Sequence, residues 1–441
     1  MQSYVDIKTF FDSFENRTVD NLRQFYNNPK LVYESIKQVV LPHLTPDQIR
    51  GKRILLKPNF VREPQNEDDE ICLITHPQFI LSALIVLLEC YPQSIIIGDA
   101  PIQNCRWDLM LTSDFYNEVE SLSKKYNIPI SVIDFRKRIF YADKNYFSET
   151  SRKDDEYLIF DVGNKSWLES VTSEKNTFRV TNYDPDRMAI SHSKGMHKYC
   201  IAKEVFESDI IITMPKPKTH RMACLTNSLK ILVGINGDKD YLPHHRLGSL
   251  KQGGDCYKDY NLFRTWSEKI RDEANRRRGS LSFKPLRIVS GLLWKWGKPS
   301  NEVTANAGWY GNDTVWRMVM DINTIAQYGT VTGELADTSQ RTIYTLCDGI
   351  IGGQGSGPLK PDPLALGLIA FSNDSYLMDE FMGYLFGLNI NRVPLLKAAY
   401  EINQIKVVKL IIDGKKADKA DLYKLSTDVK LAPGWVNYNN Y

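Results

Sequence analysis

Asp209-Ile-Ile-Ile-Thr-Met-Pro-Lys-Pro-Lys-Thr-His-Arg221 is the stretch whose reading decides the fold. Its first half is a short, nearly unbroken apolar run, the pattern of a strand buried on both faces, as in a parallel sheet. Pro215 ends the run, and Lys216, Lys218 and His220 follow within five residues. Two prolines stiffen that turn. In open α/β sheets ligands bind outside the carboxyl ends of the strands, so this cationic tip is where chemistry is expected.

Three more apolar strands end in the same way. Arg53-Ile-Leu-Leu-Lys57 runs into Pro58-Asn59, Ser94-Ile-Ile-Ile-Gly98 into Asp99-Ala-Pro101, and Thr342–Cys347 into Asp348-Gly349. Further strands are expected at 130–135, 364–371 and 407–412. Helices are expected at 77–88, 109–126, 223–233, 261–278, 316–325 and 375–386. Strands alternating with helices predict an α/β fold: a mostly parallel sheet with helices on both faces. Polar stretches at 105–190 and 238–320 read as inserted, cap-like segments. Residues 1–50 read as a helical extension, with Phe10, Phe11 and Phe14 at helical spacing. The α/β core is expected over 51–400, and 401–441 as a closing strand and tail.

The 441 residues can bury a real core without staples. A net charge of +3 gives no general reason to expect nucleic acid. The seven cysteines include no Cys-x-x-Cys spacing, which removes support for zinc ribbons and cysteine-ligated clusters. The amino terminus lacks an apolar leader, and no unbroken apolar run reaches the length of a membrane span. Reduced thiols, a cytoplasmic location and no membrane span are therefore expected.

Parallel strands would bring all four tips to one edge. Lys57, Asn59, Lys216 and Lys218 are then candidate contacts for a carboxylate or phosphate, with Asn227 and Lys239 beside them. A helix beginning near Ala223 would add its free N–H groups and positive dipole end. Lys230 reads as a further anion contact, or as a base if burial lowers its pKa. His220 could shuttle protons, while Asp99 and Asp348 could serve as acid/base groups, metal ligands or lysine partners. His244 and His245 are adjacent, so at most one is expected to face the site; a divalent metal on them is left open. His192 and His197 read as surface residues. Asp348-Gly-Ile-Ile-Gly-Gly-Gln-Gly-Ser-Gly-Pro358 reads as a glycine-dense loop whose Gly355 and Gly357 let backbone approach a ligand. It matches neither nucleotide-binding glycine motif.

Taken together, Lys57-Pro-Asn59, Gly98-Asp99-Ala-Pro101, Pro215-Lys-x-Lys-Thr-His220, Thr226-Asn-Ser-Leu-Lys230 with Gly234, and Asp348-Gly-Ile with Gly355-x-Gly-Pro358, Asp374 and Asp379 resemble the family Domain of Unknown Function 362, over roughly residues 50 to 390. Gly234–His245, with Gly253-Gly-Asp255 and Gly311-Asn-Asp-Thr314, is similar to stand-alone members. Some members carry a ferredoxin-like module; this chain lacks its cysteine spacing, so no iron–sulfur cluster is carried over. Ile231 stands where the pattern often has asparagine. The resemblance implies a fold and a site and leaves the reaction open. The expectation is an enzyme acting by proton transfer, with metal assistance left open, on a small anionic metabolite (a carboxylate or phosphorylated sugar). The reaction could be an isomerase, lyase or redox step. The rival readings are a non-catalytic anion-binding protein, or a scaffold using Trp294, Trp296 and Trp309.

Overall fold

The computed structural model describes residues 2–11, 16–141, 146–297, 307–436 and 438. An 11-stranded sheet organises the chain. Its strands, numbered along the chain, are β1 (Ser3–Thr9), β2 (Arg53–Pro58), β3 (Ser94–Asp99), β4 (Ile130–Asp134), β5 (Ile210–Met214), β6 (Lys218–His220), β7 (Cys224–Thr226), β8 (Thr342–Ser356), β9 (Lys360–Ser372), β10 (Val408–Ile412) and β11 (Lys415–Ala417). The order across the sheet is β11-β10-β1-β9-β8-β5-β2-β3-β4, with β6 and β7 joined to the far end of β8. From β8 to β4 every neighbour is parallel. The other half is mixed: β1 is antiparallel to β9 and parallel to β10.

The apolar runs alternate between two cores, as the strand period of two requires. Ile54, Leu56, Ile95, Ile97, Ile210 and Ile212 point into one, under helices Pro29–Val40, Pro77–Leu88 and Ser113–Tyr126. Leu55 and Ile211 point into the other, under helix Val315–Tyr328. Helices thus cover both faces.

Several expectations change. The amino-terminal segment opens with a strand: Val5 and Ile7 are buried between β9 and β10, and only then do helices Val19–Tyr26 and Pro29–Val40 follow. Phe14 lies outside the described residues. The glycine-dense segment after Asp348 is no loop. It continues β8 to Ser356, in a long hairpin with β9. Glycine suits this strand because partners crowd it: a Cβ on Gly353 would lie 2.9 Å from Lys218 Cβ, and one on Gly357 would lie 1.9 Å from the Thr219 carbonyl oxygen. No α-helix starts at Ala223. Residues 218–226 form the β6–β7 hairpin, and a 3-10 helix spans Lys230–Ile235.

The stretch Glu67–Leu88 has the length and apolarity to cross a membrane, but 72% of its 18-residue apolar window is buried inside the protein, and it is core. All seven cysteines are free and buried.

β3 and the segment after β4 come close together at Gly98, where a Cβ would meet the Phe135 ring at 2.1 Å. Phe135 is fully buried and has no free direction in which to yield. Gly98→Ala is therefore expected to cost about 1–3 kcal/mol by overpacking, read as a lower urea midpoint at unchanged slope.

Candidate functional site

The tips of β2, β3 and β5 meet at one edge, beside Asp348 in the middle of β8. Lys57, the fifth residue of β2, turns its amine onto Asp99 at the end of β3, 2.7 Å from Oδ1, and onto the Pro58 carbonyl at 2.9 Å. The other Asp99 oxygen accepts Phe60 N–H at 2.6 Å. Lys216 follows β5 and lies 2.6 Å from Asp348 Oδ2. Tyr26 closes this second pair, donating its hydroxyl to Asp348 Oδ1 at 2.6 Å and accepting from Lys216 Nζ at 2.9 Å. The His76 backbone N–H adds a bond of 3.0 Å to Asp348. Both pairs are buried. Burial pulls the Lys57 and Lys216 amines down, opposed by their carboxylates.

Lys218 differs from both. It is fully buried, yet among the described residues its amine has no hydrogen-bond partner. Burial, reinforced by the Lys216 charge, brings its pKa down to about 7. Lys230 is half-exposed at the start of the 3-10 helix, and desolvation brings it to about 8. Lys239 donates to the Ala100 and Asn236 carbonyls at 2.7 and 3.1 Å, and burial brings it to about 7. The edge therefore holds five lysines, and the two carboxylates at the strand tips are each already bonded by one of them.

The 3-10 helix lies against these tips because Gly234 permits it. A Cβ there would fall 1.9 Å from Asp99 Oδ1 and 2.7 Å from Lys57 Nζ, and the Gly234 carbonyl accepts Ala100 N–H at 2.7 Å.

The two histidines near Lys230 have opposite polarity. His220 Nδ1 accepts the Met222 and Ala223 N–H groups at 3.0 and 3.1 Å. Burial, then the Lys230 charge, hold this ring neutral, so its proton sits on Nε2. His244 Nδ1 faces the Leu242 carbonyl at 2.6 Å, which places its proton on Nδ1 and leaves Nε2 with a lone pair. Burial and Lys230 bring His244 to about 4.

The remaining expected residues fall into three groups. Asn227 follows β7; its Oδ1 lies 3.6 Å from Cys347 Sγ, and its amide lies alongside Asp379 without a geometrically sound bond. Asn59 is half-buried, with its backbone N–H on Thr75. Gly355 and Gly357 pack against β6 backbone: the Gly355 carbonyl accepts Thr219 Oγ1 at 3.1 Å and the Gly357 carbonyl accepts Arg221 N–H at 3.2 Å. That close approach is within the protein.

His244 and His245 do not share a site. His245 points to Cys256 and Glu268, and ligand-type atoms of these three buried residues lie within 4.8 Å of one another. Imidazole, thiol and carboxylate form a zinc-type donor set, and His245 Nδ1 is buried without a partner among the described residues. Glu268 also accepts Gly248 N–H at 3.1 Å. His192 and His197 are buried rather than at the surface, with their Nδ1 atoms 3.3 Å apart among Phe178 and Tyr199.

Tyr26 and His76 carry no sequence signal that separates them from ordinary helix residues. Asp379 does, through its place in the family-like pattern. It is fully buried and accepts Ser228 N–H at 2.7 Å, and burial pushes its carboxyl up to about 7. An acid with a raised folded pKa holds a proton that the unfolded chain releases. Stability is then expected to fall as pH rises from about 4 to about 7, by a few kcal/mol at most. Asp379→Asn keeps an acceptor for Ser228 and removes this slope. Urea unfolding should find the variant more stable than the parent at pH 8 but not at pH 5.

No curated protein matches the chain. A crystal structure of a protein from Thermotoga maritima is 10% identical, with a TM-score of 0.31, covering 85% of this chain. The chain spans 59% of the length of that protein, and a likeness at this level carries no argument about fold or chemistry. The family model described as Domain of unknown function (DUF362) matches residues 133–382. That segment contains the tips of β5 and β8, the β6–β7 hairpin and Asp379, and begins after Lys57 and Asp99. The chain belongs to the DUF362 family.

Proposed function

We propose that the protein is an enzyme that binds a small anionic metabolite, a carboxylate or phosphorylated sugar, beside Lys218 and Lys230 and moves a proton on it. The observation that carries this reading is the Lys218 amine, fully buried and without a hydrogen-bond partner among the described residues. Leaving such a group unsatisfied costs about 1–3 kcal/mol, and an anion bonded to it would recover that cost. His220 Nε2–H and the His244 Nε2 lone pair supply a donor and an acceptor within electrostatic reach of each other. That is the pairing proton transfer needs. Asp99 and Asp348 hold Lys57 and Lys216 and act as positioning groups. Fixed cationic and N–H donors would stabilise negative charge developing on the ligand.

The reading fixes a pH dependence. Above pH 7 the Lys218 amine is neutral in the free protein, because its pKa is about 7. A bound anion favours the charged form, so binding above pH 7 takes up a proton. Affinity for sulfate, whose own charge is constant in this range, is expected to level off below that pKa and to fall by about tenfold per pH unit between about 7 and 8, above which Lys230 also loses its charge. Calorimetry in two buffers of different ionisation enthalpy reads the uptake directly. Lys218→Met should abolish the ligand-induced thermal shift while raising the stability of the free protein by about 1–3 kcal/mol. A Lys218→Met variant that keeps the shift would assign the anion elsewhere. A non-catalytic binder would keep its affinity and have no turnover to lose in His244→Ala.

The donor set suited to metal assistance is His245, Cys256 and Glu268, one residue from His244. A zinc ion there would order the turn that carries His244. Protein purified without a tag or chelator is expected to hold zinc that Cys256→Ser loses; metal-free parent protein would remove this version.

A further inference from the structure

Helices Leu262–Arg276 and Phe283–Trp296 pack against each other as a hairpin whose polarity is reversed. Its inward side is polar. Arg264, Ser267, Glu268, Arg271, Asp272 and Asn275 are buried on the first helix, and Ser290 is the buried residue of the second. Ser267 Oγ donates to the Ser290 carbonyl at 2.7 Å, and Ser290 Oγ donates to the Ser267 carbonyl at 2.9 Å. The outward side is apolar. Leu262, Phe263 and Trp266 are exposed on the first helix, and Ile288, Leu292 and Trp296 on the second. Phe263 and Trp296 touch edge to face at 6.3 Å, so the two stripes form one surface. A helix in water normally turns such a stripe inward, and a continuous exposed apolar face marks a binding surface.

Charge selects the occupant. Residues 262–297 hold nine basic and three acidic residues, against a net charge of +3 for the whole chain. Two of the acids, Glu268 and Asp272, are buried, and the third, Glu273, is bonded to Arg277. The exposed charges on the two helices are therefore all basic, with Lys269, Lys284 and Lys295 beside the apolar stripe. A second copy laid face to face would set two such basic faces together without a counter-charge. Aromatic and aliphatic side chains flanked by lysines are what the boundary between headgroups and acyl chains accepts. Anionic lipid headgroups attract basic residues near the surface.

The geometry points to this hairpin as a peripheral membrane-binding element. It lies in the surface of an anionic bilayer, with Trp266, Ile288, Leu292 and Trp296 in the interfacial region and the three lysines at the headgroups. This is a docking surface, separate from the strand-tip site, and needs no membrane-spanning helix.

Co-sedimentation with phosphatidylcholine vesicles, with and without phosphatidylserine, tests it on the full chain. Binding is expected only with phosphatidylserine, with a blue shift of tryptophan fluorescence and a decline in high salt. Ile288→Asp/Leu292→Asp and, separately, Lys284→Glu/Lys295→Glu should each lower the partition coefficient by at least about tenfold. Their thermal midpoints should stay at the parent value, because these side chains are exposed. No binding to either vesicle overturns the assignment, as does binding that neither variant weakens. A parent dimer that Ile288→Asp/Leu292→Asp makes monomeric assigns the face to a second copy and overturns it. Saturable binding of polyglutamate without vesicle binding assigns an acidic protein and overturns it as well.

Discussion

Two buried ion pairs at the strand tips set the rest of the site. Lys57–Asp99 ties β2 to β3, and Lys216–Asp348 ties the turn after β5 to β8. Such pairs add little net stability, since desolvating two charges offsets most of their attraction, yet removing one partner costs about 3–5 kcal/mol. Their consequence here is geometric and electrostatic. Each fixes the direction of a tip, and each consumes the carboxylate that would otherwise neutralise a neighbouring amine. Lys218, on the same side of the sheet edge, is left without an acceptor.

The glycines of β8 make that arrangement possible. β8 runs past the sheet edge far enough for Gly353 to pair with Lys218. The resulting β6–β7 hairpin places His220 three residues from Ala223, so the turn's N–H groups fall on its ring nitrogen. A side chain at Gly353 or Gly357 would push the hairpin away. The helix dipole expected at Ala223 is absent, and the site depends on amines and individual N–H groups for its positive potential.

Three of the four expected tips, after β2, β3 and β5, were legible because the polarity change is abrupt: apolar strands such as Ile210–Met214 stop at a proline, and lysine or aspartate follows; the fourth strand runs on through Asp348 to Ser356. Continuous apolar runs also identified the parallel half of the sheet correctly. What escaped the sequence was decided by distant partners. Gly349–Gly357 reads as a loop because glycine disfavours strands, and nothing nearby in sequence reveals that β6 and β9 crowd it from both sides. Residues 223–233 have apolar spacing compatible with a helix, but pairing of Lys218 with Gly353 captures the preceding segment in a hairpin. Tyr26 reaches Asp348 across 322 residues of sequence, a distance no local pattern spans. The tryptophans expected as scaffold contacts divide: Trp309 is buried and gives its Nε1–H to the Asp255 carbonyl, whereas Trp296 is exposed.

The reversed hairpin and the strand-tip site are physically connected. Glu268 lies on the inward side of the first helix and holds the Gly248 backbone N–H. Gly248 belongs to the turn that begins at His244 and His245, and His245 itself faces Glu268 and Cys256. The charged interior of the hairpin therefore holds the segment that aims His244 at Lys230. A purely apolar interior would bury the same area without that polar anchorage, and would leave no apolar stripe to face outward. The polarity reversal thus accounts for two features at once: a held segment that carries His244 beside Lys230, and a basic, apolar surface on the opposite side of the same helices.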